Sequence, residues 1–331
     1  MAKLSIGKVR GLQQISTADG VFVICAMDHR ESFRTILQEE APETVSYQEM
    51  VKHKGELCQA LAPHASAVLL DPNYGAAQCI ASGVLPGKTG LLVSIEATGY
   101  KGSKEERITT LLDKWGVEKI KRLGASAIKL LIYYRPDLAS AAAQQLATVK
   151  QVAEDCIKYD IPFLVETKSY PIKEERSSTK QFAHKKPSLV IETAQQVTAL
   201  PIDVLKAEFP ADLQYEKGEG KLLELCQQLN EASRVPWVIL SAGVDYEVFV
   251  EEVKIACRAG ASGFLGGRAI WQEAMHMEET SQRVKYLETT VVDRLKQLTE
   301  LATKYATPWY RKLNLKSGKL ADVSENWYQT Y

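Results

Sequence analysis

Eight short apolar segments recur along this chain, and each is followed by enough sequence for a helix. Their starts lie roughly 25 to 45 residues apart. Near-continuous hydrophobic runs are typical of parallel strands that are covered on both faces, and alternation with helices predicts right-handed βαβ units. The predicted strands are Val21–Met27, Ser66–Leu70, Gly90–Ala97, Ser126–Tyr133, Ile161–Thr167, Val204–Phe209, Val235–Leu240 and Ser262–Leu265.

This repeat predicts a closed (β/α)8 TIM barrel in a single domain over residues 1–331. The rival fold is an open doubly wound sheet, which usually has a glycine-rich turn after its first strand. Here the first strand ends in Ala26-Met27-Asp28-His29-Arg30, without glycine. We predict an extended polar loop at Tyr170–Pro187 and a long helix at Gln282–Tyr305. The aromatic tail, residues 307–331, is expected to pack on the body or on a partner subunit, which allows a homo-oligomer.

Composition excludes several classes of partner. Basic and acidic residues balance at 41 each, so no global charge attracts nucleic acid or an anionic membrane. No apolar run reaches the ~20 residues of a membrane span, and the N-terminus lacks the apolar core of a signal peptide, so we expect a cytoplasmic protein. The six cysteines form no Cys-x-x-Cys pair and are expected to be reduced core residues.

Two of the predicted strands carry a lysine within the apolar run. These residues are Lys129, in Ala127-Ile128-Lys129-Leu130-Leu131, and Lys206, in Val204-Leu205-Lys206-Ala207-Glu208. Burial favours the neutral form of an amine, and a neutral amine is a nucleophile towards carbonyl carbon. The alternatives are an inward lysine paired with a carboxylate and an edge-strand lysine that faces water. Both lysines are candidates for Schiff-base chemistry if the fold gathers the strand ends together.

In a closed barrel, polar residues at the C-terminal ends of the strands converge on one pocket. Alternate residues of a strand share a face, so Lys206 and Glu208 point the same way, as do Glu166 and Lys168. Periodicity does not tell which face is the inner one, because these strands are apolar throughout. The strand-end rule collects Asp28, Asp71, Glu96, Lys129, Glu166, Lys168, Lys206, Glu208 and Ser241.

The last two predicted strands end in small residues. They run into Ser241-Ala242-Gly243 and Gly266-Gly267-Arg268. Small residues let backbone N–H groups approach an anion, a helix start adds a positive dipole, and Arg268 adds a fixed charge. The loops after strands seven and eight are also the usual phosphate site of a TIM barrel. We therefore predict a phosphate site at Ser241, Gly243, Gly267 and Arg268, although the glycines alone also suit tight turns.

A phosphate site, a lysine and several carboxylates together indicate chemistry on a phosphorylated carbonyl compound. A Schiff base at C2 of a ketose is an electron sink, which permits cleavage of the C3–C4 bond once the C4 hydroxyl loses its proton. A nearby carboxylate can move that proton. The histidine and cysteine spacings suggest no zinc site, so we expect neither a metal nor an organic cofactor.

Six segments, spread in order over nearly the whole chain, carry a family resemblance. They are Ala26-Met27-Asp28-His29-Arg30, Leu69-Leu70-Asp71-Pro72-Asn73-Tyr74-Gly75, Glu96-Ala97-Thr98-Gly99-Tyr100, Ile128-Lys129-Leu130-Leu131-Ile132-Tyr133-Tyr134, Val204-Leu205-Lys206-Ala207-Glu208 and Leu240-Ser241-Ala242-Gly243-Val244. In these segments the chain resembles the class I tagatose 1,6-bisphosphate aldolases and their relatives, the bacterial sulfofructosephosphate aldolases.

The resemblance implies a TIM barrel and reversible aldol cleavage of a ketose bisphosphate. It implies that Lys206 forms the Schiff base and that Glu166 transfers the proton, with Asp28 and Lys129 as polar neighbours. Glu208 competes for the proton-transfer role, but we expect it to pair with a lysine. The residues implied to hold the dihydroxyacetone phosphate end are Gly243, Gly267 and Arg268.

The distal end of the substrate is less constrained. The family commonly has Asp-Gln-Arg-Gly after its first strand, whereas this chain has Asp28-His29-Arg30-Glu31. This turn lies near the distal end, and Arg30 is a candidate to bind there. We expect tagatose 1,6-bisphosphate to yield dihydroxyacetone phosphate and glyceraldehyde 3-phosphate. The alternatives are a sulfofructose 1-phosphate aldolase, a Schiff-base transaldolase and a non-enzymatic sugar-phosphate sensor.

Overall fold

Eight parallel strands form a closed barrel in a computed structural model that describes residues 4–176, 178–329 and 331. The parts of the predicted N-terminus, loop and tail that fall on residues 1–3, 177 and 330 lie outside the described residues. The strands are β1 Phe22–Ala26, β2 Ala67–Leu70, β3 Gly90–Ser94, β4 Ala127–Tyr133, β5 Phe163–Lys168, β6 Val204–Ala207, β7 Trp237–Leu240 and β8 Gly263–Gly266.

The barrel closes where β1 pairs with β8. Phe22 lies opposite Gly263 in this pairing, and a Cβ on Gly263 would come within 2.0 Å of the Phe22 carbonyl oxygen. Only glycine therefore permits this register at the seam. Closure confirms the predicted (β/α)8 barrel and rejects the open sheet.

Side chains alternate between the interior of the barrel and the ring of helices. Phe22, Ile24 and Ala26 share an interior cluster with residues such as Leu69 and Leu92. The alternate positions of the same strands pack instead against the helices. Because every strand is covered on both faces, most residues of each strand are apolar.

Fourteen α-helices of the described residues surround the barrel or cap its ends. A π-helical turn at Leu287–Val291 and short 3₁₀ turns at Pro42–Thr44, Ala62–His64 and Trp327–Gln329 complete the secondary structure of the described residues. The helices are α1 Ile6–Ile15, α2 Glu31–Leu37, α3 Tyr47–Leu61, α4 Ala76–Ala81, α5 Val117–Arg122, α6 Ala139–Lys158, α7 Lys173–Arg176, α8 Thr179–Val197, α9 Glu219–Ala232, α10 Tyr246–Arg258, α11 Arg268–Met275, α12 Thr280–Tyr286, α13 Val292–Tyr305 and α14 Trp309–Lys312.

One sequence-based expectation about the helices was wrong. The segment Tyr170–Pro187 is not an extended loop, because α7 and the first half of α8 occupy much of it. Its polar residues form the solvated face of α8, and Glu175 of α7 is tied to the buried guanidinium of Arg135 at the end of β4. The predicted long helix at Gln282–Tyr305 is present, because α12, the π-helical turn and α13 follow one another without a break.

The N-terminal end of the barrel is closed by residues from distant parts of the chain. Leu12 and Ile15 of α1 join Trp309 in the interior cluster, and the Trp309 indole N–H donates to Ser16 Oγ at 3.3 Å. Further along the tail, Tyr328 and Tyr331 are 63% and 66% exposed. The Tyr331 hydroxyl nevertheless donates to Asp160 Oδ2, and its ring packs edge-on against Trp327. Contact of the tail with a partner subunit stays a prediction.

All six cysteines are buried and none is in a disulfide. Among the described residues, no helix is long and apolar enough to cross a membrane.

Candidate active site

Side chains alternate between the two faces of a strand, and this alternation places both candidate lysines in the barrel interior. Ala127 and Val204 belong to the interior cluster, so Lys129 and Lys206, two residues further along, face the same way. Leu164 is also interior, and Glu166 follows it by the same two-residue step. Glu166 lies directly opposite Lys206 in the pairing of β5 with β6. The structure therefore settles the face that periodicity left open.

Lys129 lies at the centre of a cluster of carboxylates. Its Nζ is 2.6 Å from Glu96 Oε1, 2.8 Å from Asp28 Oδ2 and 3.0 Å from Glu166 Oε2. Burial alone lowers the pKa of a lysine, but the charges of Asp28, Glu166 and Glu96 outweigh it and raise the pKa of Lys129 well above its ordinary value. Lys129 is therefore a permanent cation and a poor nucleophile.

Lys206 has a simpler environment. Its Nζ lies 2.9 Å from Glu166 Oε2, and this is its one ion pair with a described residue. The side chain is buried on the interior face of β6. Lys206 thus has a single carboxylate to exchange a proton with, whereas Lys129 has three.

Glu166 is held ionised by both lysines. Burial opposes its ionisation, but the ammonium groups of Lys129 and Lys206 more than compensate and lower its pKa to about 2. Asp28 behaves in the same way, since Lys129 holds the pKa of this buried carboxyl far below its usual range. The site therefore brings together two cations and three carboxylates, Glu96 being the third.

Arg268 adds a third cation to the pocket. It is half-buried at the start of α11, and no described residue pairs with its guanidinium. Burial lowers its pKa, against the opposing pull of Glu166 and Asp28. The guanidinium lies against Gly243, where a Cβ would be 3.1 Å from Arg268 Cζ, and Gly243 has a φ of +83°. The positive φ favours glycine at this position, and a Cβ there would also crowd the guanidinium.

Ser241 links the two loops of the predicted phosphate site. Its Oγ accepts a hydrogen bond of 3.2 Å from the Gly267 N–H, at the residue that precedes α11. Ser241, Gly243, Gly267 and Arg268 are thereby gathered at one side of the barrel mouth. An unpaired guanidinium at a helix start is suited to bind an oxyanion.

Several strand-end residues lie outside the lysine cluster. Arg30 is buried and already engaged, because its guanidinium donates to the Glu96 carbonyl at 2.8 Å and to Asn73 Oδ1 at 3.4 Å. Asp71 pairs instead with Lys54 of α3, at 2.6 Å between Oδ2 and Nζ. Lys54 also donates to the carbonyls of Met27 and His29, on either side of Asp28. This buried pair holds the backbone that presents Asp28.

Glu208 pairs with no lysine in the part of the chain that the structure describes, contrary to expectation. Its Oε2 accepts two hydrogen bonds of 2.6 Å, from the backbone N–H and from the Oγ of Ser169. Ser169 follows directly after β5, so it is closer to Glu208 than any lysine on a neighbouring strand. Glu208 therefore fixes the end of β5 against the end of β6.

His29 is a site residue that sequence reasoning did not select. Burial lowers the pKa of this histidine to about 3, and the nearby charges of Arg268, Lys54 and Lys206 add to the effect against the pull of Asp28. Its Nδ1 is buried and has no hydrogen-bond partner among the described residues. The ring borders the predicted phosphate site, since a Cβ on Gly267 would lie 3.0 Å from His29 Cε1. A neutral imidazole there can donate one hydrogen bond to a bound group.

Comparison with known proteins gives a consistent picture. Residues 22–273 match the family described as DeoC/LacD family aldolase. Tagatose 1,6-diphosphate aldolase 2 of Streptococcus agalactiae is 31% identical over 324 residues, which cover 92% of this chain and 98% of the relative. Tagatose 1,6-diphosphate aldolase of Lactococcus lactis has the same identity and coverage. A solved Schiff-base-forming fructose-1,6-bisphosphate aldolase shares the fold, with a TM-score of 0.57, 19% identity, and coverage of 89% of this chain and 98% of that one.

Proposed function

The chain belongs to the DeoC/LacD family of aldolases, and we propose that it cleaves tagatose 1,6-bisphosphate through a Schiff base on Lys206. The products are dihydroxyacetone phosphate and glyceraldehyde 3-phosphate. The observation that carries the proposal is the pairing of Lys206 with the single carboxylate of Glu166 inside a barrel whose mouth holds the unpaired Arg268. The substrate is taken from the curated relatives, which are tagatose 1,6-diphosphate aldolases.

Binding places the 1-phosphate at the Ser241, Gly243, Gly267 and Arg268 site. The C2 carbonyl then meets Lys206. The ammonium of Lys206 and the carbonyl combine to an iminium with loss of one water, so no net proton is gained or lost. Glu166 relays the protons during this step because its Oε2 lies 2.9 Å from the lysine Nζ.

Bond cleavage follows from the iminium. Glu166 takes the proton of the C4 hydroxyl, the C3–C4 bond breaks, and its electron pair moves into the iminium to leave an enamine. Glyceraldehyde 3-phosphate departs. The proton on Glu166 returns to C3, and water hydrolyses the restored iminium to release dihydroxyacetone phosphate and the lysine ammonium.

Lys129 supports this chemistry as a fixed charge. Its ammonium is held by Asp28, Glu96 and Glu166 and orients the carboxylate that must face the C4 hydroxyl. A permanent cation beside Glu166 also limits the cost of the charge changes at the imine.

The test is a cleavage assay on tagatose 1,6-bisphosphate, fructose 1,6-bisphosphate and sulfofructose 1-phosphate side by side, with release of dihydroxyacetone phosphate as the readout. We expect the highest kcat/KM with tagatose 1,6-bisphosphate and no cleavage by Lys206→Met. A parallel reaction with an acceptor aldose separates an aldolase from a transaldolase, which would release no free three-carbon product. Inactivity of the wild-type protein on every ketose would leave the sensor as the better interpretation.

A further inference from the structure

Arg107 lies in a cage of three tyrosine rings. Its guanidinium carbon is 4.7 Å from the ring centre of Tyr170, 4.9 Å from that of Tyr100 and 5.6 Å from that of Tyr133. Arg107 lies in the long loop between β3 and α5, which is called the excursion below. Antiparallel bridges, such as that between Lys101 and Ile108, hold two parts of this loop side by side. Cation–π contacts of this kind hold a guanidinium in place without neutralising it.

Arg107 has no carboxylate partner among the described residues. Its Nε is buried and makes no hydrogen bond within that part of the chain. Other buried arginines of the protein are satisfied, since Arg135 pairs with Asp137 and Glu175, and Arg283 pairs with Glu56. A half-buried cation that lacks a counter-charge is disfavoured unless a ligand supplies one.

The cage opens on the mouth of the barrel. Tyr133 ends β4 on the same face as Lys129, and it lies opposite Lys168, the last residue of β5, in the strand register. In a closed barrel of eight strands, β4 is four strands away from β8, so Arg107 and Arg268 lie on opposite sides of the mouth. Lys206, on β6, lies between the two sides. A substrate with an anion at each end can therefore span the Schiff-base lysine.

The cage is built before any ligand arrives. The buried side chain of Gln145 donates from Nε2 to the carbonyls of Arg107 and Tyr133, at 2.9 Å each. The Tyr170 hydroxyl accepts from the Arg107 N–H and donates to the Glu105 carbonyl, at 3.3 Å each. The excursion is thus fixed to α6 and to the end of β5. Preorganised donors lose little conformational entropy on binding.

We propose that Arg107 binds the distal anionic group of the substrate, with the Tyr100 and Tyr133 hydroxyls as additional donors. This inference rests on the proposed function and adds the second anion site that a ketose bisphosphate needs. Phosphate and sulfonate share the tetrahedral oxyanion chemistry that a guanidinium recognises. Arg30, the earlier candidate for the distal end, already donates to Glu96 and Asn73.

The experiment compares two ketoses that differ in one group, tagatose 1,6-bisphosphate and tagatose 1-phosphate. Arg107→Met should raise KM for the bisphosphate about 10- to 100-fold, the value of a lost charge-assisted contact. Its KM for the 1-phosphate should stay at the wild-type value. Arg107→Lys should recover part of the loss, because it keeps the positive charge. Sulfofructose 1-phosphate, as a third substrate, shows whether the site prefers sulfonate to phosphate.

Arg176→Met is the matched control. Arg176 pairs with Glu105 on the same excursion, so this variant loosens the excursion and leaves the caged cation in place. It should keep the wild-type ratio of the two KM values. Equal losses of Arg107→Met on both ketoses, or a selective loss in Arg176→Met as well, would overturn the inference. Wild-type inactivity on both ketoses would overturn the proposed function and the inference with it.

Discussion

Glu166 and Lys206 face each other across two adjacent strands, with 2.9 Å between Oε2 and Nζ and their Cα atoms in register. The same oxygen of Glu166 is also 3.0 Å from Lys129 Nζ. One carboxylate oxygen thus lies between two ammonium groups that differ in their other partners. This asymmetry supports the proposal that Lys206 is the nucleophile and that Lys129 is a fixed charge.

Borohydride trapping should label Lys206. Incubation with dihydroxyacetone phosphate and borohydride is expected to inactivate the enzyme and to add mass to the peptide that contains Lys206, because its one carboxylate partner can accept and return a proton. Peptide mass spectrometry measures the site. Lys206→Met serves as the control and should remain unlabelled. A label on Lys129 with Lys206 intact would contradict the assignment.

Glu166→Gln should lose catalysis and keep binding. Glutamine has the size of glutamate but cannot take the C4 hydroxyl proton, so we expect kcat to fall about 10²–10⁴-fold with KM nearly unchanged. Steady-state kinetics on the bisphosphate measures both. Glu208→Gln is the comparison variant, since Glu208 accepts its hydrogen bonds from Ser169. Near-normal cleavage by Glu166→Gln together with a dead Glu208→Gln would reverse their roles.

Arg268→Ala should weaken binding of 1-phosphorylated ketoses. The guanidinium has no described protein partner to lose, so the cost is that of the unmade phosphate contact, about 1.5–3 kcal/mol. Substrate KM is the measure, and a ketose without the 1-phosphate should show a much smaller change. Arg258→Ala, which removes an exposed arginine paired with Glu219, is the control. Equal losses on both ketoses would mean that Arg268 holds the fold and not the phosphate.

Lys54→Met should destabilise the protein. Lys54 and Asp71 are fully buried, and removing the lysine leaves the Asp71 charge without its ion-pair partner, which costs about 3–5 kcal/mol. Urea unfolding gives the change in free energy. The double variant Lys54→Met/Asp71→Asn removes both charges and should be more stable than the single variant. A single variant as stable as the wild type would refute the role of this pair.

Glu252 should make stability fall as the pH rises. Burial on α10 raises its pKa to about 8, and its Oε2 has no hydrogen-bond partner among the described residues. Between the unfolded value of about 4.3 and about 8, the folded state keeps a proton that the unfolded state has lost. Glu252 therefore lowers the free energy of unfolding by up to ~1.4 kcal/mol per pH unit across that window.

Glu252→Gln isolates this contribution, because the amide does not titrate. Urea unfolding of both proteins from pH 5 to pH 8 should show the stability of the wild type falling relative to the variant. A difference that stays constant with pH would show that Glu252 ionises normally in the folded protein.

The strands could be predicted because burial on both faces gives each one a near-continuous apolar run. The same property concealed which way Lys129 and Lys206 point, since nothing in an all-apolar strand distinguishes inside from outside. That information comes from the register, which places Glu166 beside Lys206. The strand pairing in the structure therefore shows which face is the inner one, and sequence periodicity does not.

The misjudged parts depend on contacts between distant residues. Helix α7 is polar and short, and its Glu175 is held by Arg135, 40 residues earlier in the chain. Glu208 bonds to Ser169, 39 residues away, for which no local pattern exists. The cage of Arg107 needs tyrosines from three separate segments. Contacts between such distant residues leave no periodic pattern in the sequence.

Closure of the barrel floor by Trp309 has a consequence for how the chain is synthesised. The Trp309 indole bonds to Ser16, 293 residues earlier in the sequence. Strand β1 likewise gains its second neighbouring strand only when β8 is present. Pairings of such sequence separation form late and slowly. Without β8, the strands β1 and β7 would be left as two open sheet edges. We therefore expect an incomplete chain that ends before β8 to aggregate more readily than the full chain.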